Sequence, residues 1–390
     1  MLAYAAVNVF ETLLRVVPFP CRTGVIKIGA PDKSSPVFLT GNYHLTVVRV
    51  SRALRDIDCY LLVANSRGYN VWCGAAGGHF TDHDVISVLK TSGVESLVTH
   101  RDVVLPQLAA TGVEAGVIRK KAGWRVIWGP VYARDIPVFI TSGFEKTAAT
   151  RQVDFALGQR VEMACMWAFP FSVIAALATA LFWLRIVLPL TVLIWALSSL
   201  VFLSFPLYSS WLRPGKGGTA FSKYTVVFDF SRVLIILWSV FILGLIIFYL
   251  FADGLGRWSI FRWGLVSFII VLLLSIDLKG STPVYKSGLH ADIFLTVFLD
   301  KERCRGAGFC EQVCPRNCYR VARAKHTATL VGSRRCVQCG ACIVQCPFDA
   351  LYFTGPRGEI LSPATIRKFK LNLLGERVAG VGRNSPRRRR

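Results

Sequence analysis

Asn70-Val71-Trp72-Cys73-Gly74-Ala75-Ala76-Gly77-Gly78 is the stretch around which the chain is organised. It follows Cys59-Tyr60-Leu61-Leu62-Val63-Ala64, a short apolar run with the character of a buried strand. Ser66-Arg67-Gly68 breaks that strand. Beyond the glycines, Thr81-Asp82-His83-Asp84 reads as a helix start, with Thr81 as N-cap and Asp84 at the capping-box position. Cys73 is therefore expected on a loop or short helix after a strand. In open α/β sheets the crevice beyond the strand ends is where ligands bind. The small residues after Cys73 would let a bulky planar ligand approach the backbone. Cys73 itself admits two readings: a small apolar core residue, as free cysteines commonly are, or a ligand presented at that crevice. A nucleotide loop fits poorly, since there is no GxGxxG and no Lys-Ser or Lys-Thr after the glycines.

Working outward, Val37-Phe38-Leu39, Ser96-Leu97-Val98 and Arg125-Val126-Ile127-Trp128 also read as short buried strands. Leu45 to Leu54 and Val85 to Leu89 read as helical, with Gly93 as the C′ residue of the second. This alternation predicts a small α/β domain over residues 36–160. Thr99-His100, at a strand end in this reading, either lines the ligand crevice or is structural. His79 and His83 are expected to be solvated. In residues 1–35, Val7, Phe10, Leu13, Leu14 and Val17 recur at helical spacing until Pro18 and Pro20. Glu11 interrupts the apolar run and no basic stretch precedes it, so an amphipathic surface helix is expected and not a signal peptide.

The chain has 390 residues, 53% of them hydrophobic. The excess is local. Residues 163–184, 186–208, Val233 to Ala252 and Phe261 to Ile276 are long apolar runs, and a membrane span needs roughly 20 such residues. Four spans are expected in a transmembrane helical domain over 161–279, the first two joined tightly at Arg185. The 209–232 loop carries Arg213, Lys216, Lys223 and Arg232 and reads as cytoplasmic. An even number of spans puts both end domains on the cytoplasmic side of the inner membrane. The net charge is +23, and residues 279–390 hold 21 Lys and Arg against 7 Asp and Glu. Beside membrane spans this points to anionic lipid. Nucleic acid is not an expected partner, because no binding motif accompanies the charge.

Of the 12 cysteines, eight lie between Cys304 and Cys346. Cys336-x2-Cys339-x2-Cys342-x3-Cys346-Pro347 is the bacterial ferredoxin run. Zinc sites more typically use two separated cysteine pairs. The first half, Cys304…Cys310…Cys314-Pro315, is irregular, with Ala307 at the second ligand position. In a two-cluster ferredoxin domain of α+β type (residues 290–375), Cys314, Cys336, Cys339 and Cys342 would hold a [4Fe–4S] cluster. Cys304, Cys310 and Cys346 would hold the other, one ligand short. That cluster is [3Fe–4S], or has a non-cysteine ligand, or is completed by Cys318 as a [4Fe–4S]. Cys318 is otherwise a plain buried thiol. Residues 376–390, ending in Arg387 to Arg390, are expected to form a basic disordered tail.

The Asn70-Val71-Trp72-Cys73 core resembles the cap-helix motif of the corrinoid proteins of mercury methylation (HgcA), and echoes the corrinoid proteins of the acetyl-CoA pathway. The resemblance extends through Thr40-Gly41-Asn42-Tyr43, Thr99-His100-Arg101, Leu105-Pro106-Gln107-Leu108, Trp128-Gly129-Pro130 and Gly280-Ser281-Thr282-Pro283. The C-terminal part resembles the ferredoxin partner, HgcB, here fused. The resemblance implies a cobalamin-type corrinoid with Cys73 as lower axial ligand to cobalt and as the catalytic residue. It implies cofactor contacts from Asn70, Val71, Trp72, Gly74, Ala75, Ala76, Gly77, Thr40, Gly41, Asn42, Thr99 and His100. The chain departs from the family at Gly77, where a lysine is usual, and in having no cysteine at its C-terminus.

The expected function is a membrane-anchored corrinoid methyltransferase whose fused ferredoxin re-reduces cobalt, with Hg(II) as the acceptor implied by resemblance. Expected partners are membrane lipid, a methyl donor protein or methyl-folate system, and an external low-potential electron donor. Two other readings stand: methyl transfer to an organic or protein acceptor, and a membrane electron-transfer protein that binds no corrinoid.

Overall fold

The computed structural model describes residues 2–210, 225–251, 257–276, 278, 282–284, 295–355, 358–371 and 377–379. The chain forms two compact units: Met1–Val17 with Asp154–Ile293, and Pro18–Val153 with Phe294–Arg390. The N-terminal segment expected over 1–35 is thus divided. Its helix, Leu2–Leu13, goes with the helical unit, and the following Arg15 pairs with Glu162 at 3.1 Å. From Pro18 onward it belongs to the α/β module, where Gly24–Ile28 (β1) joins the sheet.

That sheet also contains Val37–Gly41 (β2), Cys59–Ala64 (β3), Asp102–Leu105 (β4) and Arg125–Trp128 (β5), in the order β1-β3-β2-β4-β5. β2 to β5 are parallel; β1 runs antiparallel along β3. β2 and β3 are buried at every residue. Their unbroken apolar character follows, because a parallel strand is covered on both faces. One covering layer packs Phe38, Leu61 and Val63 against Val47, Leu54 and Phe139. The other packs Leu62 and Leu105 against Val85, Leu89, Ile118 and Trp124. The winding reverses between β2 and β4, so the carboxyl ends of these two strands bound the crevice favoured by ligands.

The strand expected at Ser96–Val98 is instead the end of a helical turn, Val94–Leu97, and the strand lies further on, at β4. Val94 and Val98, both buried, stand four residues apart, a helical spacing. Thr81 and Asp84 form the expected capping box, and Gly93 takes the left-handed conformation (φ 75°) after the helix Asp82–Thr91.

The C-terminal module is α+β. Thr296–Leu299 (β6), Leu351–Thr354 (β9) and Ile360–Leu361 (β10) form an antiparallel sheet, and Tyr319–Ala322 (β7) pairs with Thr327–Leu330 (β8). Within the expected tail, Arg377–Ala379 is a strand paired with Phe369–Leu371, and 376 and 380–390 lie outside the described residues.

The helical unit contains Leu157–Ala180, Leu184–Leu203, Thr225–Phe251 and Arg257–Ile276. Among the described residues three helices are long and apolar enough to cross a membrane: Leu157–Ala180, Leu184–Leu203 and Trp258–Ser275. Thr225–Phe251 contains a shorter apolar stretch, Ile236–Phe248. The break between the first two helices falls at 181–183, and Arg185 sits inside the second. Arg213, Lys216, Lys223, Gly280 and Ser281 lie outside the described residues.

Candidate functional site

Cys73 lies on a six-residue helix, Val71–Ala76, that follows β3 at the carboxyl edge of the parallel sheet. Asn70 is its N-cap. The Cys73 backbone N–H donates to Asn70 Oδ1 at 2.9 Å, and Asn70 Nδ2 donates to Cys73 Sγ at 3.2 Å. A backbone N–H can only donate, so it takes the amide oxygen and leaves the amide nitrogen for the sulfur. The helix is two-sided. Val71, Gly74 and Ala75 are buried, Trp72 is half-buried, and Cys73 is exposed. A core role for Cys73 is thereby excluded. The small residues Gly74 and Ala75, expected to admit a planar ligand, face inward instead. A Cβ on Gly74 would sit 3.2 Å from Phe80 Cβ. Their size serves close packing of the helix on the sheet.

Thr40, Gly41 and Asn42, expected as cofactor contacts, lie beneath this helix. Thr40 and Asn42 are 1% and 5% exposed. Asn42 Oδ1 accepts from Ser66 N (2.8 Å), Ser66 Oγ (3.1 Å) and Gly68 N (3.0 Å), and its Nδ2 donates to the Cys21 carbonyl at 3.2 Å. Its polar atoms are committed to shaping the 66–68 turn that launches the Cys73 helix. A Cβ on Gly41 would lie 2.6 Å from Ser66 Oγ, so that turn also needs glycine below it. These residues position the site and do not line it. Thr40 Oγ1 is buried with no hydrogen-bond partner among the described residues.

Thr99 and His100 are at the wrong edge of the sheet. They precede β4, and they bond to the loop that enters β2: Thr99 N to Lys33 O at 2.9 Å, His100 Nε2 to Ser35 O at 3.0 Å. At about 3.3 Å per strand residue, the length of β2 separates them from Cys73. Their assignment as cofactor contacts is therefore corrected. It followed from placing the strand before them and not after them.

Side chains that sequence reasoning passed over stand beside the Cys73 helix. His79 is half-buried, not solvated, and stacks on Tyr69 with ring centroids 4.9 Å apart. Its Nδ1 lies 3.3 Å from Arg67 Nη1. Burial, and then the Arg67 charge, hold His79 below its ordinary pKa of 6.5. His83 is exposed. Gly77 ends the helix, and a Cβ there would sit 2.9 Å from the Cys73 carbonyl oxygen.

The clustered cysteines separate into two sets. Cys342 is buried beside Cys339, Cys336 and Cys314; burial first, then these neighbours, holds its thiol well above the usual range. Cys310 neighbours Cys346 and Cys304, with Cys314 of the first set also near, and burial pushes its thiol up to about 12, all three neighbours adding to the shift. Thiols crowded out of water resist ionising beside one another. Metal ions in their midst reverse that preference, so the donor sets fit the iron–sulfur clusters expected from spacing. A small pocket of about 20 Å³ opens at the second set, lined by Cys304, Cys310, Cys346 and the Gly306-Ala307-Gly308 loop. Among the described residues, no three His, Cys, Asp or Glu converge on a single metal ion. Cys318 lies beside the first set. Its backbone N–H donates to Cys314 Sγ at 3.3 Å, and its thiol interacts with Cys314 and Cys336.

The iron–sulfur module is packed against the α/β module within the same unit. Val313 and Ala341 enter the α/β core, and Phe309 and Cys339 pack against it. Lys146 Nζ donates to Gln107 Oε1 (2.8 Å), Gly129 O (3.0 Å) and Gln312 O (2.9 Å). Gln345 Nε2 donates to Ala110 O (2.9 Å) and Val113 O (2.6 Å), while its Oε1 accepts from Ala115 N (3.2 Å). The turn so gripped, Gln107–Thr111, packs on the Cys73 helix. There the following Gly112 fits so closely that a Cβ would lie 2.5 Å from Ala75 O. The four-cysteine set, through Cys339, therefore abuts the module that presents Cys73.

Residues 15–140 match the family model of the CO dehydrogenase/acetyl-CoA synthase delta subunit, and residues 298–350 that of the 4Fe-4S dicluster domain. The chain is similar to the acetyl-CoA decarbonylase/synthase complex subunit gamma of Methanopyrus kandleri, with 37% identity over 125 residues, covering 32% of this chain and 27% of the relative. The same subunit of Methanocaldococcus jannaschii is 31% identical over 131 residues (33% and 26%), and that of Methanothermobacter thermautotrophicus 36% over 119 residues (30% and 26%). The chain spans about a quarter of the length of these relatives. The α/β module is thus a domain of the first kind, and the cysteine-rich module one of the second.

Proposed function

We propose that this chain is a corrinoid-dependent methyltransferase, anchored in the inner membrane, that carries its own iron–sulfur reductant. The observation that carries the reading is Cys73: an exposed thiol, oriented by Asn70, at the carboxyl edge of a parallel sheet. When bound, the corrinoid supplies a cobalt centre that accepts and releases a methyl group. The chain's own residues do the rest. Cys73 Sγ would ligate the metal and raise its electron density, as a cysteine ligand does for haem iron. That push favours giving the methyl group to an electrophile. Asn70 holds the sulfur in one orientation. The packing of Cys339 against the α/β core supports a short route for electrons from the four-cysteine cluster to the Cys73 helix. Fusion keeps this donor at high effective concentration.

The apolar helices support membrane anchoring. The α/β and iron–sulfur modules belong to one unit although the apolar helices separate them in sequence. The chain must then leave and return on one side, which favours an even number of crossings and a cytoplasmic place for both modules. A methyl donor protein or methyl-folate system would supply the methyl group, and an external low-potential donor the electrons.

The acceptor proposed is Hg(II), from the resemblance at Asn70 to Cys73. A second acceptor class, organic or protein, is favoured by Gly77, where the lysine usual in the mercury family would press its Cβ on the Cys73 carbonyl.

The test is cobalt and iron analysis of the full chain, purified anaerobically from a corrinoid-supplied host. Cobalt and corrinoid absorbance are expected, and Cys73→Ala should change that absorbance. A cobalt-free protein sinks the reading. Methylmercury formed on incubation with Hg(II) separates the two acceptor classes.

A further inference from the structure

Tyr319, the first residue of β7, is 2% exposed and belongs to the core of the iron–sulfur module together with Cys310, Cys314, Cys318 and Cys342. A buried hydroxyl needs a partner, and the phenol of Tyr319 has Cys342 Sγ at 3.3 Å. The direction of this bond follows from the chemistry of a ligating cysteine. A sulfur bound to iron carries no proton, whereas a phenol keeps its proton at neutral pH. Tyr319 Oη is then the donor and Cys342 Sγ the acceptor. Backbone N–H groups reach sulfurs of both sets. Cys318 N donates to Cys314 Sγ (3.3 Å) and Gln338 N to Cys336 Sγ (3.4 Å), while in the other set Ala328 N donates to Cys304 Sγ (3.4 Å). A side-chain hydroxyl is added at the first set, and none is among the residues lining the pocket at the second. Cys342 stands on the helix Ala341–Val344, whose Ala341 enters the α/β core. The phenol therefore addresses the set that abuts the module presenting Cys73.

We infer that Tyr319 sets the reduction potential of the four-cysteine cluster, holding it above the value the cysteines alone would give, and so keeps this relay within reach of the external low-potential donor. The inference rests on the reading that the cysteines hold iron–sulfur clusters. Reduction adds one electron to the cluster, and part of the added charge falls on the ligand sulfurs. A hydrogen bond to one of them is stronger in the reduced form and favours it. The electron comes from the donor, which is oxidised by one electron. No bond to iron forms or breaks, and the phenolic proton stays on Tyr319 Oη. Burial enlarges the effect, because a hydrogen bond is electrostatically stronger away from water. The backbone donors come with the course of the chain. The phenol is a choice of side chain, and phenylalanine would fill the same space without it. Tyr319 is thus a positioning residue, acting on electron supply through Cys342 and not on the methyl group.

The experiment is a redox titration of the full chain, anaerobically purified, with dithionite as reductant and electron paramagnetic resonance following each cluster. Tyr319→Phe keeps the ring and removes the hydroxyl. Its iron content should equal that of the unaltered chain. The midpoint of the four-cysteine cluster should fall, by up to about tenfold in the reduction equilibrium, or about 59 mV for a one-electron couple. The midpoint of the three-cysteine cluster is the internal reference and should not move. Cys304→Ala, which removes one sulfur of that second set, identifies which signal belongs to which cluster. A four-cysteine midpoint that stays or rises with iron intact would overturn the inference alone. So would an equal shift of both midpoints, which marks a general packing effect, or loss of the four-cysteine cluster from Tyr319→Phe, which marks a structural support. An unaltered chain without iron would overturn the cluster reading as well. None of these readouts depends on cobalt, so they stand or fall separately from Cys73.

Discussion

Lys146 Nζ lies 2.9 Å from the carbonyl oxygen of Gln312, and this bond joins the α/β module to the first cysteine-bearing helix of the iron–sulfur module. The same ammonium also serves Gln107 and Gly129. Three acceptors use all three of its protons. Burial and the nearby Arg151 charge both push its pKa down, so the three oxygens are what make a charged lysine tolerable there.

Lys146→Met keeps the bulk and removes the donors. Buried acceptors left without a donor cost about 1–3 kcal/mol. Hydrogen exchange should quicken in 107–111 and 309–317 together, and less elsewhere in the sheet. Unchanged exchange in both segments would mean that Lys146 does not hold the modules together.

Gly112→Ala should disturb the Cys73 helix from behind. The new Cβ would meet Ala75 O at 2.5 Å and Phe80 O at 2.7 Å, both fixed groups. Overpacking of this kind costs about 1–3 kcal/mol. A lowered melting temperature together with weaker corrinoid retention is the expected outcome. Gly116→Ala, where the nearest atom would be 4.0 Å away, serves as the control.

Asn70→Ala removes a helix cap and the amide that orients the thiol. Loss of such a cap costs about 1 kcal/mol. Cys73→Ala, at an exposed position, should leave the melting temperature nearly unchanged while altering the cobalt spectrum. The pair thus separates stability from ligation. A large stability loss in Cys73→Ala would contradict its exposed placement.

His79 makes the region acid-sensitive. Its folded pKa is depressed below 6.5 by burial and then by Arg67. As pH falls through 6.5 the unfolded chain takes up the proton first, so the neutral folded form loses ground. Stability should therefore decline from about pH 6.5 downward, by a component absent in His79→Phe. Parallel pH profiles of the melting temperature in the two proteins would show that His79 contributes nothing.

Some elements were legible before any tertiary contact was known. The capping box at Thr81 and Asp84 and the left-handed Gly93 follow from residues within a turn of one another. β3 reads directly from six consecutive apolar residues, because both its faces are covered. Ser96–Val98 misled because a three-residue run with two apolar positions carries no period long enough to tell a strand from a helical turn.

Chain-local chemistry alone determined the alternating α/β pattern, the apolar helices, the two-set division of the cysteines and the place of Cys73 after a strand. Each depends on spacings of a few residues or on composition over one element. Tertiary structure decided what spacing could not. It put Thr99 and His100 at the far edge of the sheet, buried Asn42 under the Cys73 helix, and sent Cys318 to the set already complete. It also brought Gln345 to Ala110 across 235 residues. Contacts at such separations are set by strand order and by which surfaces exclude water together, and no local period of the chain encodes either.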